Sequence, residues 1–192
     1  VKIAIDILGK ESVIAVTAKS ETYPDSELSD AKRFIKLIGA KHIIITTKEL
    51  DIKHFKDNPP NRCYYCKFEL FSKLKKIAKK SGIKYALDAT NYDDRLDIRY
   101  GRVAAKKLGI KSPLLDAKIT KNEIRTESKK LRLPTHNKPS FACLASRYPY
   151  NEKITKDALL QISKGEDFLK NFGIGQVRLR KHGDIARIEV LK

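Results

Sequence analysis

The sequence predicts an α/β fold, in which a parallel sheet carries helices on both faces and a small α+β unit follows. Short β-rich runs alternate with helical apolar spacing over the first two-thirds of the chain, which is typical of parallel sheets. Four of the helical stretches end at a glycine or directly before one. The pattern changes after Pro149, so we expect a main domain over residues 1–148 and a smaller one over residues 149–192.

Strands and helices follow one another in a regular order along the main domain. Residues 1–9 have the pattern of the end of a helix that closes at Gly9. Runs rich in β-branched residues predict strands at 13–18, 41–47 and 83–88. Apolar residues at helical spacing predict helices at 27–39, 64–81, 99–109 and 120–131. The last helix begins with a capping box of Thr120 and Glu123.

Parallel sheets bind ligands beyond the carboxyl ends of their strands, which here are residues 17–20, 46–49 and 88–91. The smaller domain has a different pattern. A helix is predicted at 155–172, capped by Thr155, and two alternating strands at 176–182 and 184–191 flank a turn at Gly183. This pattern predicts a β-hairpin packed with one helix.

The composition excludes several classes of protein. Of the 192 residues, 41% are hydrophobic and 33% are charged, which fits a soluble globular protein. No apolar run approaches the roughly 18 residues of a membrane helix, and no signal peptide is evident, so we expect a cytoplasmic protein without a membrane partner. The net charge is +18, but 30 of the 41 basic residues are Lys. Nucleic-acid readers rely on Arg, so direct nucleic-acid binding is disfavoured, while nucleotides suit the excess charge.

The sequence has no Met, so we expect that it begins inside the fold. Separately, we expect the smaller domain to be incomplete at Lys192. The three cysteines are Cys63, Cys66 and Cys143, an odd number that favours a reducing compartment. Four interpretations stay open from spacing alone. The thiols could form a redox pair, hold zinc with His136 as a fourth ligand, hold a [4Fe–4S] cluster through three thiolates, or be inert.

Cys143 lies in a proline-flanked loop together with Ser146 and Arg147, where a thiol is a candidate nucleophile or ligand. Four motifs occur in order along the chain: Asn58-Pro-Pro-Asn-Arg-Cys-Tyr-Tyr-Cys-Lys67, Asp88-Ala-Thr-Asn91, Thr120-Lys-Asn-Glu-Ile-Arg125 and Phe141-Ala-Cys-Leu-Ala-Ser-Arg147. Together they resemble the LarE family, ATP-dependent sulfur-transfer enzymes of nickel-pincer nucleotide biosynthesis. That family belongs to the PP-loop ATP pyrophosphatase superfamily, whose fold is adenine nucleotide alpha hydrolase-like.

One departure from the superfamily is evident. Its phosphate loop, Ser-Gly-Gly-x-Asp-Ser, is absent from the sequence. We expect this loop to precede Val1, so that residues 1–148 are the PP-loop domain without it. The alternative is a degenerate protein without ATP chemistry.

The resemblance implies the reaction. ATP adenylates a carboxylate of pyridinium-3,5-biscarboxylic acid mononucleotide and releases pyrophosphate, and sulfur then displaces AMP to give a thiocarboxylate. Mg²⁺ would neutralise the phosphates. The implied partners are this phosphorylated pyridinium nucleotide and a sulfide or other sulfur donor. The resemblance also implies a homo-oligomer, with residues 149–192 serving substrate binding or oligomerisation.

The resemblance distinguishes two sulfur sources. Family members with one cysteine at the position of Cys143 look sacrificial, because that residue gives up its own sulfur and becomes dehydroalanine. Members that also have the pair equivalent to Cys63 and Cys66 resemble cluster-binding enzymes. In this sequence the resemblance therefore makes Cys63, Cys66 and Cys143 ligands of a [4Fe–4S] cluster.

Further candidate residues each have an ordinary structural alternative. Thr17 and Ala18 end a strand at the expected adenine site, and Asp88, Thr90 and Asn91 either contact the nucleotide or form an Asx turn. Ser146 and Arg147 could anchor a phosphate. Arg178 and Arg180 project to one face of a strand, which suits a catalytic clamp on phosphate or carboxylate, or else a solvated surface. Glu166 is a candidate metal ligand or a surface residue.

Two rival functions remain. The first is a tRNA-thiolating PP-loop enzyme, which would use the same chemistry and bind tRNA in a salt-dependent manner. The second is a non-catalytic zinc or iron–sulfur protein, which would bind metal without releasing pyrophosphate from ATP.

Overall fold

Seven helices and four strands make up the computed structural model, which describes residues 1–97 and 99–190. The helices are α1 (Lys2–Leu8), α2 (Asp25–Leu37), α3 (Arg62–Lys80), α4 (Tyr100–Leu108), α5 (Pro113–Asp116), α6 (Lys121–Lys130) and α7 (Lys156–Asn171). The strands are β1 (Ile14–Lys19), β2 (Lys41–Thr46), β3 (Val177–His182) and β4 (Ile185–Val190). Short 3-10 helices lie at Lys10–Ser12, Glu49–Asp51, Asp93–Leu96 and Leu144–Arg147.

β1 and β2 form a parallel pair in which Ile14 is opposite Lys41 and Lys19 is opposite Thr46. Both strands are rich in β-branched residues, which fit a pleated, partly buried surface. The amphipathic helix α2 connects them and buries Leu28, as a parallel connection requires. The predictions for the first two strands and the intervening helix are therefore confirmed to within two residues.

The prediction of a strand at residues 83–88 is wrong. The segment makes a single parallel bridge, in which Leu87 is opposite Lys111. Its hydrogen bonds run from Asp88 N to Lys111 O (3.0 Å) and from Lys111 N to Ala86 O (3.0 Å). Leu87 is 46% exposed, so little packing supports a longer ladder. Within the described residues the parallel sheet thus consists of two strands.

α3 and α4 pack against each other over a core of Phe71, Ala104, Ala105 and Ile110. The two alanines are 0% and 5% exposed, and Phe71 fills the space opposite these small side chains. Gly101 also lies close to α3, because a Cβ at this position would come within 3.0 Å of the Lys67 side chain. The predicted helices at 64–81 and 99–109 are confirmed.

α7 packs against β3, which forms an antiparallel hairpin with β4 in which Val177 is opposite Val190. The tight turn places Gly183 at φ +58°, which glycine adopts without strain. Helix and strand come close because position 165 is glycine: a Cβ there would lie 2.5 Å from Leu179 Cδ2. The predicted helix and hairpin are confirmed, although residue 191 of the predicted strand lies outside the described residues.

The chain divides into two compact units. Unit 2 comprises residues 61–141, and unit 1 comprises residues 1–60 together with residues 142–190. Asn58 Nδ2 donates to Pro149 O (2.6 Å), and Ile154 N donates to Lys56 O (2.7 Å), so two distant segments share unit 1. The units therefore do not divide at residue 149, and the domain boundary expected there remains a prediction.

Among the described residues, the helices include none that is both long and apolar enough to cross a membrane.

Candidate functional site

Cys143 immediately precedes the 3-10 helix Leu144–Arg147 in unit 1. Leu144 and Ala145 are 2% and 0% exposed, and Leu144 N donates to Thr22 O (2.9 Å). Ser146 N closes the turn by donating to Cys143 O (2.9 Å). The cysteine is itself half-buried, so it lies in a shaped loop as the prolines of this segment predict.

Arg147 forms a buried bidentate ion pair with Glu166 of α7. Arg147 Nε lies 2.6 Å from Glu166 Oε1, Arg147 Nη2 lies 3.1 Å from Oε2, and both side chains are 2% exposed. Arg147 Nη1 also donates to Ala142 O (3.0 Å) and to Ser146 Oγ (2.9 Å). The guanidinium thus holds the main chain and the side chain on both sides of Cys143.

Glu166 accepts three hydrogen bonds in this arrangement. Besides the two from Arg147, its Oε1 accepts from Leu179 N of β3 (3.0 Å). Because charged groups are costly to bury unless they are paired, this carboxylate is matched to its neighbours. The structure thus gives Glu166 an arginine partner where the sequence suggested a metal ion, and the metal role stays a prediction.

Arg178 and Arg180 alternate along β3 and therefore project to the same face of the strand. Arg180 Nη1 donates to Ser146 O (2.8 Å), and its Nε lies 2.8 Å from Glu189 Oε2. The hydrogen bond from Arg180 holds the pKa of Glu189 below its ordinary value, assisted by Arg187. Arg178 makes no ion pair or hydrogen bond with the described residues through its side chain, so its guanidinium can receive an anion.

Thr17 and Ala18 lie at the carboxyl end of β1, as predicted. Thr17 Oγ1 lies 2.9 Å from Nε2 of His42 on the neighbouring strand. Burial lowers the pKa of His42, and the positive charge of Lys32 adds to this effect. The threonine hydroxyl therefore has a cross-strand partner, and the adenine contact proposed for this strand end remains a prediction.

The Asp88, Thr90 and Asn91 side chains hold a turn together. Asp88 accepts from Thr90 N (3.2 Å), Thr90 Oγ1 (2.8 Å) and Ser112 Oγ (2.7 Å). Asn91 Oδ1 accepts from the backbone N–H of Asp93 (3.0 Å), which is the first residue of the 3-10 helix Asp93–Leu96. This is Asx-turn chemistry, and a role in nucleotide binding would have to be additional to it.

Cys63 and Cys66 lie near the amino-terminal end of α3, in unit 2. Cys63 is exposed, Cys66 is half-buried, and neither belongs to a disulfide. Two thiols three residues apart on a helix project to the same side, and thiolates are the preferred ligands of iron–sulfur clusters. The donor chemistry thus fits two positions of a cluster. Within the part of the chain that the structure describes, no three His, Cys, Asp or Glu side chains are grouped to hold a metal ion.

Several buried polar residues of unit 1 were not predicted from the sequence. Thr22 and Glu49 are 2% and 7% exposed, and Thr22 Oγ1 donates to the Glu49 carboxylate. The Thr22 carbonyl also accepts the hydrogen bond from Leu144 N. Asn58 is fully buried at φ +53°, a conformation that asparagine tolerates better than most residues. The Asn-Pro-Pro sequence was the one available signal for a shaped backbone there.

Comparison with known proteins adds sequence relatives, although no family model matches the chain. An uncharacterised protein of Synechocystis is 41% identical over 98% of this chain and 70% of its own length. The pyridinium-3,5-bisthiocarboxylic acid mononucleotide synthase of Lactiplantibacillus plantarum is 35% identical over 98% of this chain and 68% of its own length. An uncharacterised protein of Methanocaldococcus jannaschii is 34% identical over 80% of this chain and 60% of its own length. The similarity to the synthase thus spans nearly the whole chain.

Proposed function

The chain belongs to the LarE family of sulfur-inserting synthases, and from this membership we propose that it is an ATP-dependent sulfurtransferase with a PP-loop fold. Its proposed substrate is pyridinium-3,5-biscarboxylic acid mononucleotide, the carboxylate counterpart of the compound in the name of the plantarum relative. The observation that carries the proposal is the Cys143 loop, which lies beside an arginine pair suited to anionic substrates.

The proposed reaction has two steps. A substrate carboxylate oxygen attacks the α-phosphorus of ATP, and the bond to pyrophosphate breaks. A sulfide-level sulfur then attacks the carbonyl carbon of the acyl adenylate, and AMP leaves with the former carboxylate oxygen. Because sulfur enters as sulfide, no oxidant or reductant is needed. Mg²⁺ would neutralise the phosphate charge during the first step.

Cys143, Arg178 and Arg180 are proposed to act on the substrate. Arg180 is tied to the Cys143 loop through the Ser146 carbonyl, and Arg178 offers its guanidinium on the same strand face. A guanidinium binds phosphate or carboxylate through two parallel N–H groups, so Arg178 is suited to orient the anionic substrate. Residues proposed for the nucleotide are Thr17, Ala18, Asp88, Thr90, Asn91 and Ser146.

Cys63, Cys66 and Cys143 are proposed as ligands of a [4Fe–4S] cluster. Such a cluster, when bound through three thiolates, supplies an iron with an open position that can carry an additional sulfide. This would allow repeated turnover with an external sulfide donor. The support is the pair of thiols on one side of α3 and the half-buried thiol of Cys143.

The test of the reaction uses the full-length protein purified without oxygen. Incubation with substrate, ATP, Mg²⁺ and sulfide is expected to release pyrophosphate and give a thiocarboxylate detectable by mass spectrometry. Arg178→Ala is expected to raise KM for the substrate about tenfold or more. The matched control is Arg187→Ala on β4, which removes an exposed arginine and should leave KM unchanged. Pyrophosphate release without any thiocarboxylate, or sulfur transfer to tRNA instead, would contradict the proposal.

The sulfur source is tested separately. A brown protein with about four irons per chain supports the cluster, and Cys63→Ser should abolish the colour. A colourless protein carrying one zinc would overturn this part of the proposal. If Cys63→Ser still transfers one sulfur per chain and Cys143 loses the mass of H₂S, the cysteine itself is the donor.

A further inference from the structure

We propose that Arg147 and Glu166 are positioning residues that fix the main chain around Cys143, and that neither binds a phosphate or a metal ion. The inference rests on the proposed function only in taking Cys143 as the reactive cysteine. It reassigns two residues that the sequence places among the phosphate and metal ligands, because their contacts in the structure are with each other and with the Cys143 loop.

The hydrogen bonds of Arg147 leave little capacity for a ligand. A guanidinium has five N–H donors, and here four of them are used: two by Glu166, one by Ala142 O and one by Ser146 Oγ. A phosphate clamp needs two parallel N–H groups of one guanidinium. Arg147 could form such a clamp only by giving up its ion pair or its hold on the loop.

Both carboxylate oxygens of Glu166 also accept hydrogen bonds within the protein. Its Oε1 accepts from Arg147 Nε and Leu179 N, its Oε2 accepts from Arg147 Nη2, and 2% of the side chain is exposed. A metal ion at this carboxylate would have to displace the arginine and leave that cation buried without its partner, which is strongly unfavourable.

The position of Cys143 follows from these contacts. Ala142 and Ser146 flank the cysteine, and the same guanidinium holds both. Arg180 Nη1 holds the Ser146 carbonyl from β3, and Thr22 O holds Leu144 N from the other side. The loop is thus anchored on each side of Cys143. Reactive groups lose much of their rate when their geometry loosens, so this anchoring would set the efficiency of the thiol.

The experiment measures the reactivity of Cys143 without requiring catalysis. In a Cys63→Ser/Cys66→Ser background Cys143 is the one remaining thiol, and its rate of alkylation by iodoacetamide reports how freely the loop opens. The variant replaces both partners by apolar residues of similar size, Arg147→Met/Glu166→Met. Such replacements commonly preserve stability. The matched control is Asp167→Asn, which breaks an exposed pair with Lys170 on the same helix.

We expect the Arg147→Met/Glu166→Met variant to melt within a few degrees of its parent. Its Cys143 should be alkylated at least about fivefold faster, while in Asp167→Asn the rate should be that of the parent. An unchanged alkylation rate in folded Arg147→Met/Glu166→Met would overturn the proposal. If that variant does not fold, Arg147→Lys provides the same readout, because lysine keeps the charge and loses the fork.

Two further measurements separate positioning from ligand binding. Glu166→Gln should leave the affinity for Mn²⁺ within about twofold and still accelerate alkylation; a Mn²⁺ affinity reduced tenfold with unchanged alkylation would make Glu166 a metal ligand. Arg147→Lys should leave the affinity for inorganic phosphate unchanged. In the background with all three cysteines, Glu166→Gln should lower kcat for sulfur transfer with KM for ATP unchanged. A wild-type protein that transfers no sulfur disproves the proposed function, while the alkylation result still decides the positioning role.

Discussion

Cys143 and Cys63 belong to segments that are held in different ways. The loop of Cys143 is anchored by residues from β3, α7 and the segment after β1, and its neighbours Leu144 and Ala145 are almost completely buried. Cys63 lies exposed in the first turn of α3, where the helix itself sets its position. The first cysteine depends on long-range packing, and the second depends on local helix formation.

The two cysteines should therefore be sensitive to substitutions in different parts of the chain. Substitutions far along the chain should alter the surroundings of Cys143, since its anchors include Glu166 and Thr22. The pair Cys63 and Cys66 should respond mainly to changes within its own helix. Four predictions test this contrast, in descending order of expected effect.

The largest effect is expected from Glu166→Ala. It leaves the Arg147 cation buried without its partner, which should reduce the free energy of unfolding by about 3–5 kcal/mol. The corresponding fall in Tm is roughly 10 °C. Thermal unfolding followed by circular dichroism measures this, with Glu127→Ala as control because its pair with Lys130 is exposed. A loss below about 1 kcal/mol would show that the buried pair does not hold the loop.

A smaller effect is expected from Asn58→Ala. It removes the hydrogen bond to Pro149 O and places alanine at a positive φ, so stability should fall by about 1–3 kcal/mol. Asn58→Gly tolerates the backbone conformation and loses only the hydrogen bond, so it should be the milder variant in urea denaturation. Equal losses for the two variants would rule out a contribution from the backbone conformation.

Thr120→Ala tests local structure in unit 2. Loss of the Thr120 cap at the start of α6 should lower the free energy of unfolding by about 1 kcal/mol, whereas Thr120→Ser should keep the cap. Hydrogen bonds from the Thr120 backbone N–H and hydroxyl lower the pKa of Glu123. Because the folded-state pKa is depressed, the contribution of Glu123 is present above the ordinary carboxyl pKa and is lost as the pH falls through the folded value. The pKa of Glu123, measured by NMR titration, should rise in Thr120→Ala, and an unchanged value would contradict the capping geometry.

The smallest effect on stability is expected from Cys63→Ser. The side chain is exposed, so the metal-free protein should change by less than about 0.5 kcal/mol. Denaturation of the metal-free protein checks this, with Ser72→Ala on the same helix as a comparison. A loss as large as that of Glu166→Ala would mean that the two cysteine segments do not differ in the way described above.

Structure that depends on neighbouring residues could be predicted from the sequence, and structure that depends on long-range packing could not. The helix that carries Cys63, the capping box of Thr120 and the cap at Thr155 were predicted because a few neighbouring residues determine them. The hairpin around Gly183 was predicted for the same reason. Strand formation at 83–88 was predicted wrongly, because its pairing depends on neighbours that the local pattern does not specify.

Most contacts of the site that were not predicted from the sequence join residues far apart in the chain. Arg147 and Glu166 are 19 residues apart, and Asn58 and Pro149 are 91 residues apart. Periodicity could place each residue on an element, but it could not show that these residues meet. The same holds for Thr22 and Glu49, whose types gave no indication that both would be buried beside the Cys143 loop.

The division of unit 1 into two segments affects the order in which the protein can fold during synthesis. Residues 61–141 form a continuous unit that leaves the ribosome complete, whereas residues 1–60 must wait for residues 142–190. At ordinary translation rates the interval of about 80 residues lasts roughly 4–16 s. Unit 2 is therefore expected to fold first on the nascent chain, and the surroundings of Cys143 are completed only after Glu166 and β3 have emerged.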